Sequence, residues 1–320
     1  MAALSGQRTT SVVELGSLTS AHMAPLLEEE AGAWRADLNW DFRPSADLVR
    51  RFVDLHALTG FGLIEGPHVS GYAYYVCEDA KGLVGDLYVV RERRTIQTEN
   101  TLLSAVLDAM WQAPGIRRIE AQLMMLQSPL HRPVPYGQWF HSFPRRFFEA
   151  PLARVSTLPA RTLLHAAVLP WSEEHQSGAA DLIAAAYRGH IDSQINDQYR
   201  TAWGARRFLA NIVQYPGCGS FFAPASFVAT DLTGSVCGMC LASLVAADAG
   251  HITQVCVAPE HRGSGLGYEL MRRSLGALAA NGCRSASLTV TSANTSAIRL
   301  YERMGFASQR EFAAYVWELR

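Results

Sequence analysis

The residues best placed to do chemistry in this 320-residue chain lie within 251–267, His-Ile-Thr-Gln-Val-Cys-Val-Ala-Pro-Glu-His-Arg-Gly-Ser-Gly-Leu-Gly. They read as a strand, a turn begun by Pro259, and a loop with glycine at 263, 265 and 267 that opens into the helical spacing of Leu270, Met271, Leu275 and Leu278. The first turn of a helix leaves backbone N–H groups without intrahelical partners. Glycines let a ligand come close to those groups with no Cβ in the way, and the helix dipole favours negative charge there. A diphosphate is the guest that such a loop suits. Two other phosphate loops are excluded: a Walker loop needs Gly-Lys-Ser/Thr and the only lysine is Lys81, while a dinucleotide fingerprint counted from Gly265 and Gly267 needs glycine where Leu270 stands.

The elements that must position this loop follow from apolar periodicity and turn residues. The first half reads as a strand at 10–18, helices at 21–35 and 47–58, and strands at 61–65, 71–77 and 82–90. A helix at 99–111 and a strand at 117–125 complete it. The second half runs in the same order, with a strand at 163–169, helices at 179–187 and 205–213, and strands at 220–230 and 235–245. The glycine-loop strand, its helix to 280 and a strand at 283–291 follow.

That similarity is an internal repeat. Leu102, Leu103, Leu107 and Met110 fall on Leu270, Met271, Leu275 and Leu278 at a constant offset of 168, and Arg94 falls on Arg262. The glycines are not repeated, since Gln97 faces Gly265 and Glu99 faces Gly267. A glutamate there repels a diphosphate, and side chains at both positions keep the backbone away from it. Only the second half is therefore expected to bind the ligand. The boundary is expected around 151–161, between Pro151 and Arg161, giving domains 1–155 and 156–320.

Composition narrows the function classes. A net charge of −1 with no basic stripe argues against a nucleic-acid partner. The first residues, Met-Ala-Ala-Leu-Ser-Gly-Gln-Arg, hold no apolar export region and no apolar run reaches membrane-span length, so the expected location is the cytoplasm, with no membrane partner. Six cysteines are then expected to be reduced, and Cys237-x-x-Cys240, lacking a second pair, reads as buried thiols rather than a metal site.

Arg262-x-x-Gly265-x-Gly267 after a Val-x-Pro strand end resembles the acetyl-CoA loop of the GNAT superfamily of N-acetyltransferases. A second signature of that family follows in order, Asn294-x-x-Ala297-x-x-Leu300-Tyr301-x-x-x-Gly305-Phe306. The resemblance rests on specific motifs over 160–320 and on the repeat alone over 1–150. It implies an α/β fold of two tandem GNAT-like domains, each a mixed, mostly antiparallel central sheet flanked by helices, the first degenerate and the second carrying acetyl-CoA. It also implies acetyl transfer to a primary amine, borne by a small molecule or a peptide.

By position, the resemblance assigns the pantetheine to main-chain groups of Val255, Cys256 and Val257 and the diphosphate to Arg262, Gly263, Ser264, Gly265, Leu266, Gly267 and Tyr268, with Asn294 as a helix N-cap that touches the cofactor. Tyr301 is expected to protonate the departing thiolate as general acid; the other reading of a tyrosine there is core packing with a tethered hydroxyl. Where relatives carry a catalytic glutamate on the fifth strand this chain has Thr289, and where others carry one near the start of the fourth strand it has His251. His251 is either the general base or a solvated strand-end residue, in which case a water relay carries the proton. Tyr199, Trp203, Trp139 and Phe140 are candidates to line an acceptor pocket or to pack the repeats. A protein that binds acetyl-CoA as a scaffold without turnover is the alternative to the enzyme.

Overall fold

The structure is a computed structural model that describes residues 10–215 and 217–319. The amino-terminal residues inspected above for an export region lie outside them. Contacts divide the chain into one unit of residues up to Phe143 together with Phe312 onward, and a second of Pro144–Glu311.

The first unit contains β1 (Thr10–Glu14), α1 (Ser20–Leu38), α2 (Arg43–Asp54), β2 (Gly60–Glu65), β3 (His68–Glu78), β4 (Lys81–Val89), α3 (Ile96–Gln112) and β5 (Arg118–Gln122). Within β6 (Phe140–Pro151) the chain passes into the second unit. There it forms β7 (Ala166–Pro170), α4 (Gln176–Ala186), α5 (Asp192–Ile195), α6 (Ala202–Gln214), β8 (Ser220–Phe221) and β9 (Phe227–Asp231). β10 (Val236–Ala246), β11 (Ala249–Val257), α7 (Leu266–Ala280), β12 (Ser285–Thr291) and α8 (Thr295–Arg303) follow, and β13 (Ala307–Glu318) returns the chain to the first unit.

Each unit is built on a mixed, mostly antiparallel sheet flanked by helices, as expected. In the first, β1 to β5 lie in sequence order, with β4 and β5 parallel, and the end of β13 pairs antiparallel with β5 from Ala314↔Gln122 to Glu318↔Arg118. In the second, the order is β6, β12, β11, β10, β9, β7, and only β11 and β12 are parallel. The division expected at 155/156 therefore falls inside β6 instead, and the last strand belongs to the opposite unit from the rest of its repeat. Local periodicity specifies a strand but not the sheet that it joins.

The repeat holds in three dimensions at the offset read from the sequence. β3 begins at 68 and β10 at 236, β4 at 81 and β11 at 249, and the 3-10 turns after them at 91 and 259. Leu102, Leu103, Leu107 and Met110 are fully buried, as are Leu270, Met271, Leu275 and Leu278. One expected strand, 220–230, is two pieces, because Pro224 lacks an amide proton and a 3-10 turn at Ala223–Ala225 separates β8 from β9.

The first unit buries a pair of carboxyls. Glu30 on α1 accepts from Trp34 Nε1 at 3.2 Å and from the Tyr72 hydroxyl at 3.0 Å, and that hydroxyl lies 3.2 Å from Asp86 on β4. Burial first, and then the Asp86 charge, push the Glu30 carboxyl well above its ordinary range. The folded chain thus binds a proton that the unfolded chain releases, so this site's contribution to stability is full below about pH 4.5 and declines as pH rises. Glu30→Gln is expected to raise the stability of the protein at pH 7 by about 1 kcal/mol or more and to flatten that decline. Chemical denaturation at pH 5 and pH 8 measures it; an equal loss at both would show that the carboxyl is needed in its charged form.

Candidate active site

The site forms where the parallel pair in the second unit opens. β11 and β12 are in register from Ala249↔Ser285 to Ile252↔Leu288, and no pairing continues beyond. β11 meanwhile keeps its antiparallel partner β10 to the end, except that Thr253 is bypassed between Leu241↔Gln254 and Ala242↔Ile252. Such a bulge bends its strand and increases its twist. The two strands diverge from this point, leaving a V whose walls carry main-chain groups.

Which groups face the V follows from alternation along a strand. Ala258 N–H donates to Cys237 O on β10 at 2.8 Å, so Cys256, two residues earlier, directs its main chain to β10 as well. Val255 and Val257 then present theirs to the V. Cys256 turns its main chain away from the V, and its thiol is buried among core residues and pushed up by that burial to about 12, far from a nucleophile's range.

The loop beyond β11 has the shape required of an anion cradle. Gly263 and Gly265 have φ of +79° and +88°, a left-handed conformation that side chains resist, and Gly265 caps α7 with no side-chain oxygen. A Cβ on Gly263 would meet nothing within 4 Å, and one on Gly265 only Arg161 Cγ at 3.9 Å. The space beside Gly263 and Gly265 is open; Leu266 N–H donates to Ser264 Oγ at 3.4 Å, and the amides of Gly267 and Tyr268 follow at the helix start. The Ser264 hydroxyl donates to His261 O at 2.7 Å, and the Tyr268 hydroxyl to Pro159 O at 3.0 Å. These contacts fix the loop and its first turn. Arg262 faces elsewhere: its Nη2 donates to Ala186 O at 2.7 Å, closing the end of α4, which makes it a brace for the loop rather than a phosphate ligand.

The second motif stands across the opening. Asn294 caps α8 by accepting from Ala297 N–H at 3.2 Å, and its Nδ2 lies 3.4 Å from His190 Nε2. Tyr301 is buried on the inner face of α8, and among the described residues no hydrogen bond engages its hydroxyl. A tyrosine that only filled the core would normally tether that group. Burial first, with Cys240 and Asp192 adding, raises its pKa above the ordinary value, so the phenol keeps its proton.

His251 stands at the closed root of the V, paired with Ser287 in register and 2.9 Å from its hydroxyl through Nδ1. It is buried, not a solvated strand end, and desolvation with the nearby Arg145 lowers its pKa from 6.5 to about 3. A ring so weakly basic and so enclosed does not suit the general-base role. Between about pH 6.5 and 3 the unfolded chain binds a proton that the folded one excludes, so stability falls as pH drops through that window. His251→Asn is expected to reduce that acid slope while leaving the pH profile of any activity above pH 6 unchanged. Denaturation curves and rate profiles measured together test both.

The acceptor side draws on residues outside the two motifs. Gln254 Nε2 donates to the Tyr187 hydroxyl at 2.7 Å, and Tyr199 stacks on Tyr187 with ring centroids 4.3 Å apart. Asp192 accepts from the Thr291 hydroxyl at 2.5 Å and lies 3.7 Å from His190 Nδ1. Of the four aromatic residues expected near an acceptor, only Tyr199 is brought here. Trp203 is exposed under the Arg207 guanidinium, while Trp139 and Phe140 pack in the first unit against Tyr136, Tyr315 and Trp317.

The first unit lacks the cradle, for a reason only partly anticipated. Thr95 caps α3, its Oγ1 accepting from Thr98 N–H at 3.1 Å, so the helix start is closed by its own side chains. Glu99 does not point outward to repel a phosphate. It is buried, accepts from Gln127 N–H at 3.0 Å, and pairs with Arg132 at 2.5 Å. The pair anchors the proline-rich stretch 126–136, which forms no helix, beside the helix start.

The second unit thus combines a splayed parallel strand pair, a glycine loop at a helix start and a buried tyrosine on the next helix. Residues 190–306 match the model of the acetyltransferase (GNAT) family. It is similar to mycothiol acetyltransferase of Acidimicrobium ferrooxidans, 35% identical over 104 residues, 31% of this chain and 34% of that protein. Streptothricin acetyltransferase of Streptomyces lavendulae is 39% identical over 83 residues, 26% of this chain and 44% of that protein. The matched region thus spans about a third of the mycothiol acetyltransferase.

The tandem layout is shared with solved structures. A tandem GNAT protein from the clavulanic acid biosynthesis pathway aligns over 97% of this chain and 98% of its own, with a TM-score of 0.65 and 18% identity. A GCN5-related N-acetyltransferase from Sphaerobacter thermophilus aligns over 97% and 96%, with a TM-score of 0.67 and 18% identity. At these identities the likeness is one of fold.

Proposed function

We propose that this chain is an acetyl-CoA-dependent N-acetyltransferase that acts on a primary amine, with the chemistry in the second unit and none in the first. The observation that carries the proposal is the open V between β11 and β12, ending at a glycine cradle with positive φ at Gly263 and Gly265. Acetyl-CoA, when bound, supplies a thioester carbonyl open to attack by the amine. The main chain of Val255 and Val257 would hold the pantetheine arm, and the amides of Gly267 and Tyr268 the diphosphate. After the amine nitrogen bonds to the carbonyl carbon, Tyr301 would give its proton to the sulfur as the C–S bond breaks, and the second proton shed by that nitrogen would restore the phenol through water. The acceptor ammonium loses its proton through water to bulk, the route that remains with His251 enclosed.

No covalent acyl intermediate on the chain belongs to this reading, because the burial of Cys256 and Cys240 holds both thiols protonated. Bringing amine and thioester together supplies most of the acceleration. The cysteines are free, and no helix of the described residues is long and apolar enough to cross a membrane. Mass spectrometry of reactions with acetyl-CoA and a panel of amino acids, peptides, polyamines and amino sugars tests the proposal. Acetylated amine with equimolar free CoA is expected; tight acetyl-CoA binding with no product from any amine would favour the scaffold reading.

A further inference from the structure

One face of β12 is a row of hydroxyls. Ser285, Ser287, Thr289 and Thr291 alternate with Ala286, Leu288 and Val290, and the latter three belong to the buried apolar core. Three of the hydroxyls each touch an ionisable side chain. Ser287 meets His251 at the closed root. Thr289 accepts from Arg145 Nη2 at 3.2 Å, and Thr291 donates to Asp192 at 2.5 Å, both beyond the last β11–β12 pair, Ile252↔Leu288. Arg145 comes from β6, where it pairs in register with Thr291, and Asp192 opens α5 on the other side. The open end of the V therefore carries a cation and an anion on one face of one strand.

The spacing of the two anchors is set by the strand. Thr289 and Thr291 are two residues apart, roughly 6.6 Å at about 3.3 Å per residue. Asp192 and Arg145 are both partly buried, which strengthens their fields relative to water. Both act on the groups where transfer would occur. Burial dominates the upward shift of the Tyr301 and Tyr199 phenols, and in each Asp192 adds to it while Arg145 opposes it.

We infer that the acceptor is a compact zwitterion, an amine that carries a carboxylate a few bonds from its nitrogen, with Asp192 receiving the ammonium and Arg145 the carboxylate. This rests on the acetyltransferase reading above and names its substrate class. A planar guanidinium matches a carboxylate in geometry and in charge, whereas a lysine there would offer only a point charge. Thr289 and Thr291 serve as positioning residues, setting how far apart the two side chains are held. An amine without the anion forgoes the contact with Arg145, and such an acceptor is selected against.

The test compares α-amino acids with their own carboxamides as acceptors, side chain by side chain, using acetyl-CoA and the full chain, with acetyl-CoA affinity measured separately by calorimetry. The amino acids are expected to exceed their amides in kcat/KM by about tenfold or more. Arg145→Gln should bring that ratio close to one with acetyl-CoA affinity unaltered, and Arg145→Lys should restore part of the preference. Asp192→Asn should lower kcat/KM for both members of each pair. Amides that equal or surpass the acids, or a preference that survives Arg145→Gln, would overturn the inference, as would acetyl-CoA binding with no turnover of either series. Absence of acetyl-CoA binding would remove the reading beneath it as well.

Discussion

Tyr301→Phe is expected to lower kcat by a factor of about 10² to 10⁴, the usual worth of a positioned general acid, with acetyl-CoA affinity unchanged. The phenol is buried beside the V, its hydroxyl is engaged by no hydrogen bond among the described residues, and its environment keeps it protonated. The substitution removes one oxygen and leaves the ring, so its contact with Phe306 at 6.1 Å and the packing of α8 are retained. Stability should therefore change little, and a loss confined to kcat identifies an interaction made in the transition state. Stopped-flow detection of CoA release, with calorimetry on the same variant, separates the two quantities. An unchanged kcat would assign the thiolate's proton to solvent and reduce Tyr301 to packing.

Gly267→Glu should abolish acetyl-CoA binding without unfolding the chain. It installs at 267 the residue type that the first repeat carries at 99. A Cβ at Gly267 would lie 3.5 Å from Val257 and 3.9 Å from Leu300, which is ordinary contact, and a glutamate in the first turn of a helix is locally favourable. The apo protein should be as stable as its parent or slightly more so. A carboxylate about 4 Å from a phosphate charge costs about 4 kcal/mol at an effective dielectric near 20, so affinity should fall by at least about a hundredfold. Gly267→Ala is the control and should cost little. Should the glutamate variant bind acetyl-CoA as tightly as the parent, the diphosphate does not lie at this helix start.

The sequence disclosed these two residues because each sits in a local pattern. Glycines before an apolar helix, an asparagine N-cap and a tyrosine one turn beyond Ala297 are all encoded within a dozen neighbours. The repeat was legible for the same reason, since Leu102 to Met110 and Leu270 to Leu278 share their spacing. What stayed hidden depends on long-range pairing. No local feature of 140–151 says that it pairs with β12, and nothing in 307–318 says that it reaches β5. The division between the units was therefore drawn about a dozen residues late. His251 was misjudged because its position near the start of a strand suggested exposure, whereas the parallel partner β12 covers it. Asp192 and Arg145 escaped notice because they reach the site from α5 and β6, 99 and 144 residues from their β12 contacts Thr291 and Thr289.

Glu99 teaches a related lesson. The sequence identified the position at which the first repeat departs from the second, and a repelled phosphate seemed the consequence. The structure gives a different physical cause, a buried ion pair with Arg132 that binds the proline-rich stretch beside a helix already capped by Thr95. Relieving the charge alone would not restore a site there, because Thr95 still engages the Thr98 amide and there are no glycines at 97 and 99.

Isothermal calorimetry of the full chain with acetyl-CoA tests the central claim most directly. One molecule should bind per chain, and Gly267→Glu should remove all of the heat. Two molecules per chain, no binding, or a single site that persists in Gly267→Glu would contradict the assignment of the cofactor to the second unit's glycine cradle.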